Sequence, residues 1–257
     1  MKISATILGS GTSQGVPVIA CDCTVCTSRD ERDNRLRSSI LIEVEGRKIV
    51  IDTGPDFRQQ MLRAGVKQLD AILFTHEHKD HVAGLDDVRA FNYRQGKAMD
   101  VFCTERVGAA LKREFHYVFS NERYPGIPEL KLHTIINEPF NVSPEVEILP
   151  IEVMHYKMPV NGFRIGGLTY ITDAKTISDR EAEKVIGTEV LILNALHHSH
   201  HLSHFNLTEA LEFIAHVQPK RAYLTHISHL FGRHEDIERM LPPNVFPAFD
   251  GLQLEII

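Results

Sequence analysis

Four side chains able to bind a metal, His76, His78, Asp80 and His81, fall within six positions. The apolar run Leu69-Asp70-Ala71-Ile72-Leu73-Phe74 leads straight into them and reads as a buried strand. Alternate residues of an extended segment share a face, so His76 and His78 can reach one metal together. A helical pattern then starts at about Asp80, with Ala83, Leu85, Val88 and Phe91 on one side. At that turn Asp80 and His81 can aim at a second metal beside the first. Imidazole and carboxylate in combination suit zinc, iron(II) or manganese(II).

A second group is built on sulfur. Cys21, Cys23 and Cys26 can fill three corners of a tetrahedral zinc site, with the fourth ligand elsewhere in the chain. Thiols this close together in a reduced compartment hold a metal more often than a disulfide, while Cys103 stands alone. The competing reading is three free thiols on a loop. Histidine is abundant, 15 in 257 residues, and much of it falls at the ends of apolar runs. Asp52 ends such a run, where a carboxylate can orient a metal-bound histidine through its second ring nitrogen. A helix cap is the alternative there, since Pro55 and Asp56 open a helical pattern. His155 and Asp173 also stand at strand ends and are the ligands expected to complete the first motif. Five more histidines, His197, His198, His200, His201 and His204, follow the apolar run Val190–Leu196. His226 and His229 follow Ala222–Thr225.

These groups need a scaffold whose strands end at one edge. Residues 3–9 read as the first strand, and 38–45 with 47–53 as a hairpin turning at Glu45-Gly46. A helix is expected from Asp80 to about Gln95, a strand at 100–103 and one helix from Glu105 to about Phe119. Strands follow at 131–136, 146–153 and 162–172, the last interrupted by Gly166-Gly167. Helices at 178–186, 207–217 and 233–241 alternate with strands at 190–196 and 222–225, and 245–256 closes the chain as a strand. The loop Ser120–Pro128 is the candidate flap. The glycine-rich Gly9–Pro17 reads as a structural loop, although its N–H groups could meet an anion. Two strand-rich starts, each followed by strand–helix units, predict two halves with sheets inside and helices outside.

A hydrophobic content of 43% is enough for one large core, and residues 1–257 read as a single domain. The net charge of −6, without a run of lysine or arginine, speaks against nucleic acid held by wide electrostatic contact. No apolar run approaches the ~18 residues of a membrane span. Gly9 and Ser10 cut the first apolar stretch short, which argues against a secretion signal. A cytoplasmic protein is the expectation.

In order along the chain, His76-x-His78-x-Asp80-His81, His155, Asp173 and His226 resemble the metallo-β-lactamase superfamily over essentially the whole length. The resemblance implies an α/β fold: a four-layer αββα sandwich of two facing mixed sheets, helices outside, metals at one edge. It implies one divalent ion on His76, His78 and His155, a second on Asp80, His81 and His226, and Asp173 bridging them. Asp52 matches the family's carboxylate behind the ligands. The ions would be zinc or manganese, with iron as a third option.

A finer resemblance runs through Gly9-Ser10-Gly11-Thr12-Ser13-Gln14-Gly15-Val16-Pro17 and Cys21-x-Cys23-x-x-Cys26. It is to the cyclic phosphodiesterases of carbon–phosphorus lyase operons, which act on phosphoribosyl 1,2-cyclic phosphate. It implies a structural zinc on Cys21, Cys23, Cys26 and His229. This sequence departs from that branch at 197–204, where five histidines stand in place of one functional histidine. The stretch Ser203-His204-Phe205-Asn206-Leu207-Thr208-Glu209 fits best, which makes His204 the expected proton donor and His200 the second choice. The implied activity is hydrolysis of small, cyclic phosphodiesters at the centre containing Asp80 and Asp173. A metal-bridged hydroxide would attack phosphorus and a histidine would protonate the leaving oxygen. The implied partner is a small-molecule phosphodiester, not nucleic acid or membrane, and homodimers are common in the branch. The alternatives are a tRNA 3′-processing endonuclease, a thioesterase or glyoxalase-like hydrolase, and a non-catalytic zinc-binding protein. The first lacks its long arm insertion and basic surplus here. The last has no need of an open, bridged metal pair.

Overall fold

The structure, a computed structural model, describes residues 1–120 and 124–257. The chain first lays down β1 (Ile3–Gly9), β2 (Ser39–Val44), β3 (Arg47–Ile51), β4 (Ala71–Leu73), β5 (Met99–Cys103) and β6 (Leu130–Thr134). It crosses to a second sheet for β7 (Phe140–Ser143), β8 (Val146–His155), β9 (Met158–Ile165) and β10 (Leu168–Ile171). That sheet continues with β11 (Val190–Asn194), β12 (Arg221–Thr225) and β13 (Val245–Pro247), and the chain returns to the first sheet for β14 (Gln253–Ile256). The strand orders are β14-β1-β2-β3-β4-β5-β6 and β13-β12-β11-β10-β9-β8-β7. Within them β3 to β6 and β10 to β13 run parallel. Parallel neighbours need crossovers, so the helices lie on the outer faces and the strand ends share one edge.

Strand composition explains the layering. Ile7, Ile40, Ile42, Ile49 and Ile51 point between the sheets and meet Phe163, Ile165, Tyr170 and Ile192. Their neighbours Leu8, Leu41 and Val50 point the other way, under helices, with Phe57, Phe74 and Val88. Leu191, Leu193 and Leu224 do the same on the second sheet. Strands buried on both faces read as unbroken apolar runs, which is why they were visible in sequence.

The outer layers hold α1 (Phe57–Arg63), α2 (Lys79–Val82), α3 (Arg89–Gln95), α4 (Glu105–Glu114) and α5 (His116–Phe119) on one side. On the other are α6 (Asp179–Glu183), α7 (Leu207–Val217) and α8 (His234–Met240). The helix expected from 80 to 95 is in fact α2, a 3-10 turn at Leu85–Val88, and α3. Gly84 is the cause: its N–H donates to the Thr53 carbonyl, and a Cβ there would lie 2.2 Å from the Gly54 carbonyl oxygen. The helix expected at 105–119 breaks at Phe115, whose φ of −111° and ψ of 42° are not helical. The strand expected at 162–172 is the hairpin β9–β10, turned by Gly166 at φ 51°.

The expected closing strand is two strands in different sheets. Gly251 at φ 92° turns the chain between them. The adjacent Asp250 carboxylate accepts from Ser10 N at 2.9 Å and Leu36 N at 2.8 Å, which fixes the crossover. Strand β7 had no counterpart in the sequence reading, because its four residues alternate only weakly at a sheet edge. Of the candidate flap, Asn121, Glu122 and Arg123 lie outside the described residues. No described helix is long and apolar enough to cross a membrane.

Candidate metal centre

The predicted ligands come from both sheets. His76, His78, Asp80 and His81 follow β4, and Asp52 follows β3. His155 ends β8, Asp173 follows β10, His204 precedes α7 and His226 follows β12. Asp52, Asp173 and His226 adopt φ of 64°, 58° and 57°. Left-handed backbone at a non-glycine residue costs on the order of 1–3 kcal/mol and persists where the surroundings hold it. Here it turns three chemically active side chains off the strand ends.

At this edge, among the described residues, three sets of ligand atoms lie within 4.8 Å of one another: His76, His81 and Asp173; His155, Asp173 and His204; and Asp80, Asp173 and His226. Asp173 belongs to all three. The set of Asp80, Asp173 and His226 falls within the second ion's ligands and bridge that the resemblance implies; in the other two sets His76 stands with His81 and His155 with His204. His78 is exposed at the rim, in none of these sets, with its ring centroid 4.6 Å from that of His76 and 5.2 Å from that of His155. His200 is exposed and also in none of the sets.

The imidazoles are oriented for ligation. The Thr75 hydroxyl donates to Asp52 at 2.8 Å, so it can only accept from His76 Nδ1, 2.9 Å away. His81 Nδ1 donates to Asp52 at 2.7 Å, and His155 Nδ1 donates to the Ser203 carbonyl at 2.8 Å. The Ser38 hydroxyl donates to the Gly11 carbonyl and lies 3.2 Å from His226 Nδ1. Each Nδ1–H is thereby tied to oxygen, and in the neutral ring it is Nε2 that offers a lone pair to the centre. The Nε2 atoms of His76, His81 and His226 are buried without a hydrogen-bond partner. Such atoms cost about 1–3 kcal/mol each if left so, and a divalent cation is the group that satisfies them together.

Electrostatics agree. Burial, and the neighbouring charge of His81, hold His76 well below the usual histidine range. Burial likewise lowers His78 and His226. Burial opposes ionisation of Asp173, but His226 and His81 outweigh it and hold its carboxyl well below the usual range. These groups are in their ligand forms at neutral pH. Burial also disfavours charge on His81, yet Asp173, Asp52 and Asp80 raise it well above the usual value. A site with that much carboxylate attracts a cation, whether a proton or a metal.

The sulfur group is compact. His229 Nδ1 lies 3.3, 3.4 and 3.5 Å from the sulfurs of Cys21, Cys23 and Cys26. Tetrahedral zinc with ordinary Zn–S and Zn–N bonds places its ligand atoms about 3.6 Å apart. Backbone N–H groups of Val18 and Cys26 donate to the sulfurs of Cys26 and Cys23, while burial pushes the Cys26 thiol up to about 11. The N–H of Cys26, with His229, pushes the Cys23 thiol down to about 6. Four protein ligands leave no position for water, so this group suits a structural ion.

Thr75, Ser38 and the Ser203 carbonyl escaped the sequence reading. Thr75 adjoins the motif and was open to notice; Ser38 and Ser203 carry no local signal. Asp52 accepts from His81, from Thr75 N at 2.9 Å and from the Thr75 hydroxyl, at full burial. We expect Asp52→Asn to weaken metal retention ~10- to 100-fold, measured as zinc release to a chelator. Unaltered release would reduce Asp52 to a turn residue.

Comparison with known proteins agrees with the fold. The beta-lactamase superfamily domain profile matches residues 47–227. A solved diphosphatase of the PhnP family superposes with a TM-score of 0.93 at 38% identity, covering 100% of this chain and 98% of that one. The zinc-bound PqqB of Methylobacterium extorquens shares the fold, with a TM-score of 0.78 at 20% identity over 98% of this chain and 99% of that one. An octanoyltransferase of Porphyromonas gingivalis is 40% identical over 96% of this chain but only 50% of its own length. This chain therefore spans about half of that relative. Two facing mixed sheets, the imidazole–carboxylate edge and these matches together place the chain in the beta-lactamase superfamily, with the metallo-β-lactamase fold, and within it in the PhnP family.

Proposed function

We propose that this chain hydrolyses small phosphodiesters, cyclic sugar phosphates first among them, with two divalent ions at the Asp173 centre and a third, structural zinc. The observation that supports this is the set of buried, unpartnered Nε2 atoms converging on Asp173. Divalent cations held by His76, His78, Asp80, His81, His155, Asp173 and His226 would acidify water and offset charge at phosphorus. The protein keeps the imidazoles in one tautomer through Asp52, Thr75, Ser38 and the Ser203 carbonyl, so little reorganisation accompanies reaction.

His204 is the assigned proton donor. It is 9% exposed, and its Nδ1 is buried, unpartnered and 3.7 Å from Asp173 Oδ1. Burial, then His226, pushes it down to about 2, and an anionic ester beside it acts in the opposite direction, favouring its charged form. Protonated, it can pass its proton to an alkoxide leaving group. His204→Ala is expected to lower kcat on a cyclic sugar phosphate ~10²- to 10⁴-fold with metal content retained. Hydrolysis of bis-p-nitrophenyl phosphate should suffer less, because nitrophenolate leaves without a proton. Loss of metal instead would make His204 a ligand.

A second reading has its own support. The similar PhnP-family protein is a diphosphatase, which favours a P–O–P linkage. Assaying the zinc- or manganese-loaded chain on ribose 1,2-cyclic phosphate, a nucleoside diphosphate sugar and a thioester separates the readings. Thioester cleavage without phosphoester cleavage would overturn the proposal.

A further inference from the structure

A cavity of about 450 Å³ lies between the ends of β5 and β6 and the strands β8 and β9. Its link to the metal centre is Thr75, whose hydroxyl lies 2.9 Å from His76 Nδ1. Thr75, the residue before His76, lines it, and the Thr75 carbonyl accepts from Asn161 N at 3.1 Å across the two sheets. Asn161 also lines the cavity and is 5% exposed. Its side-chain Nδ2 is buried with no hydrogen-bond partner. A buried amide without partners costs about 1–3 kcal/mol, so this position calls for a ligand group.

The lining narrows what that group is. Among the described residues its one cation, Arg106, is bound to Glu77 with Nε 2.6 Å from the carboxylate. Glu105 and Glu152 add two carboxylates. A second anion would meet repulsion there and find no free cation. The amide of Asn161, the hydroxyls of Thr104 and Thr134, and the carboxylates form a set that pairs with neutral hydroxyls.

We propose that this cavity receives the neutral, hydroxyl-bearing ring of the phosphate ester, and that Asn161 sets selectivity for it. The inference rests on the phosphoester reading above. Asn161 acts on the ring, remote from the reacting phosphorus, so its effect falls on choice of substrate. The test is the ratio of kcat/KM for ribose 1,2-cyclic phosphate to kcat/KM for bis-p-nitrophenyl phosphate, on zinc-loaded protein. In Asn161→Ala that ratio should fall about tenfold. D-Ribose should compete with the cyclic phosphate in the parent and more weakly in the variant. A ratio within about twofold of the parent overturns the subsite. A parent inactive on both esters overturns the phosphoester reading instead, so the two failures are distinct. If the alanine variant does not fold, Asn161→Ser carries the same measurement, since its hydroxyl keeps a polar group at this buried position while removing the carboxamide.

Discussion

Asp173→Ala is expected to lower kcat/KM on bis-p-nitrophenyl phosphate by more than about a thousandfold and to empty the metal centre. Asp173 is 2% exposed and belongs to every ligand set at that edge. Its Oδ2 lies 3.3 Å from His81 Nε2 and 3.4 Å from His226 Nδ1, and accepts from the Thr172 hydroxyl at 2.6 Å. Alanine would remove the carboxylate shared by all three sets and leave Asp80 as the carboxylate facing both His81 and His226. Asp173→Asn keeps the shape and loses the charge, so it should fail nearly as badly. Elemental analysis should still find about one zinc per chain, held by the sulfur group, which Asp173 does not touch. A variant that kept its full metal complement and a tenth of its activity would show that Asp173 does not organise the centre.

The second large effect is Cys23→Ser. Zinc bound by three thiolates and an imidazole contributes directly to folding, on the order of 10 kcal/mol in small zinc domains. In a chain with three large apolar cores only part of that is lost with the ion. We expect about one fewer zinc per chain and at least ~3 kcal/mol of stability, or a Tm about 10 °C lower. The loss should also reach the catalytic edge. His229 is three residues beyond His226, and between them Ile227 N donates to the Ser10 carbonyl at 2.9 Å while its own carbonyl accepts from Thr12 N at 3.2 Å. Freeing the cysteine loop releases that strip, so kcat should fall about tenfold with Asp173 intact. An unchanged zinc count would remove the site. Loss of zinc with Tm unmoved would show an ion without structural weight.

The chain declares its chemistry locally. His76, His78, Asp80 and His81 fall within six consecutive positions behind an apolar strand, so their proximity needs no tertiary information. The strands were legible for a related reason: alternate residues feed two cores, so whole segments are apolar. What tertiary structure decided is everything set by long-range contact. Spacing alone left the fourth corner of the cysteine site open; the fold brings His229 to Cys21 across 208 positions. It also decided that β14 leaves the second sheet to pair with β1, a choice made by Asp250 reaching Ser10. Ser38, the Ser203 carbonyl and Asn161 reach His226, His155 and the cavity lined by Thr75 only because distant strands lay them there. Ligand type is a property of one residue and survives in the one-dimensional record. Orientation and partnership are properties of pairs, and they exist only when the chain has folded.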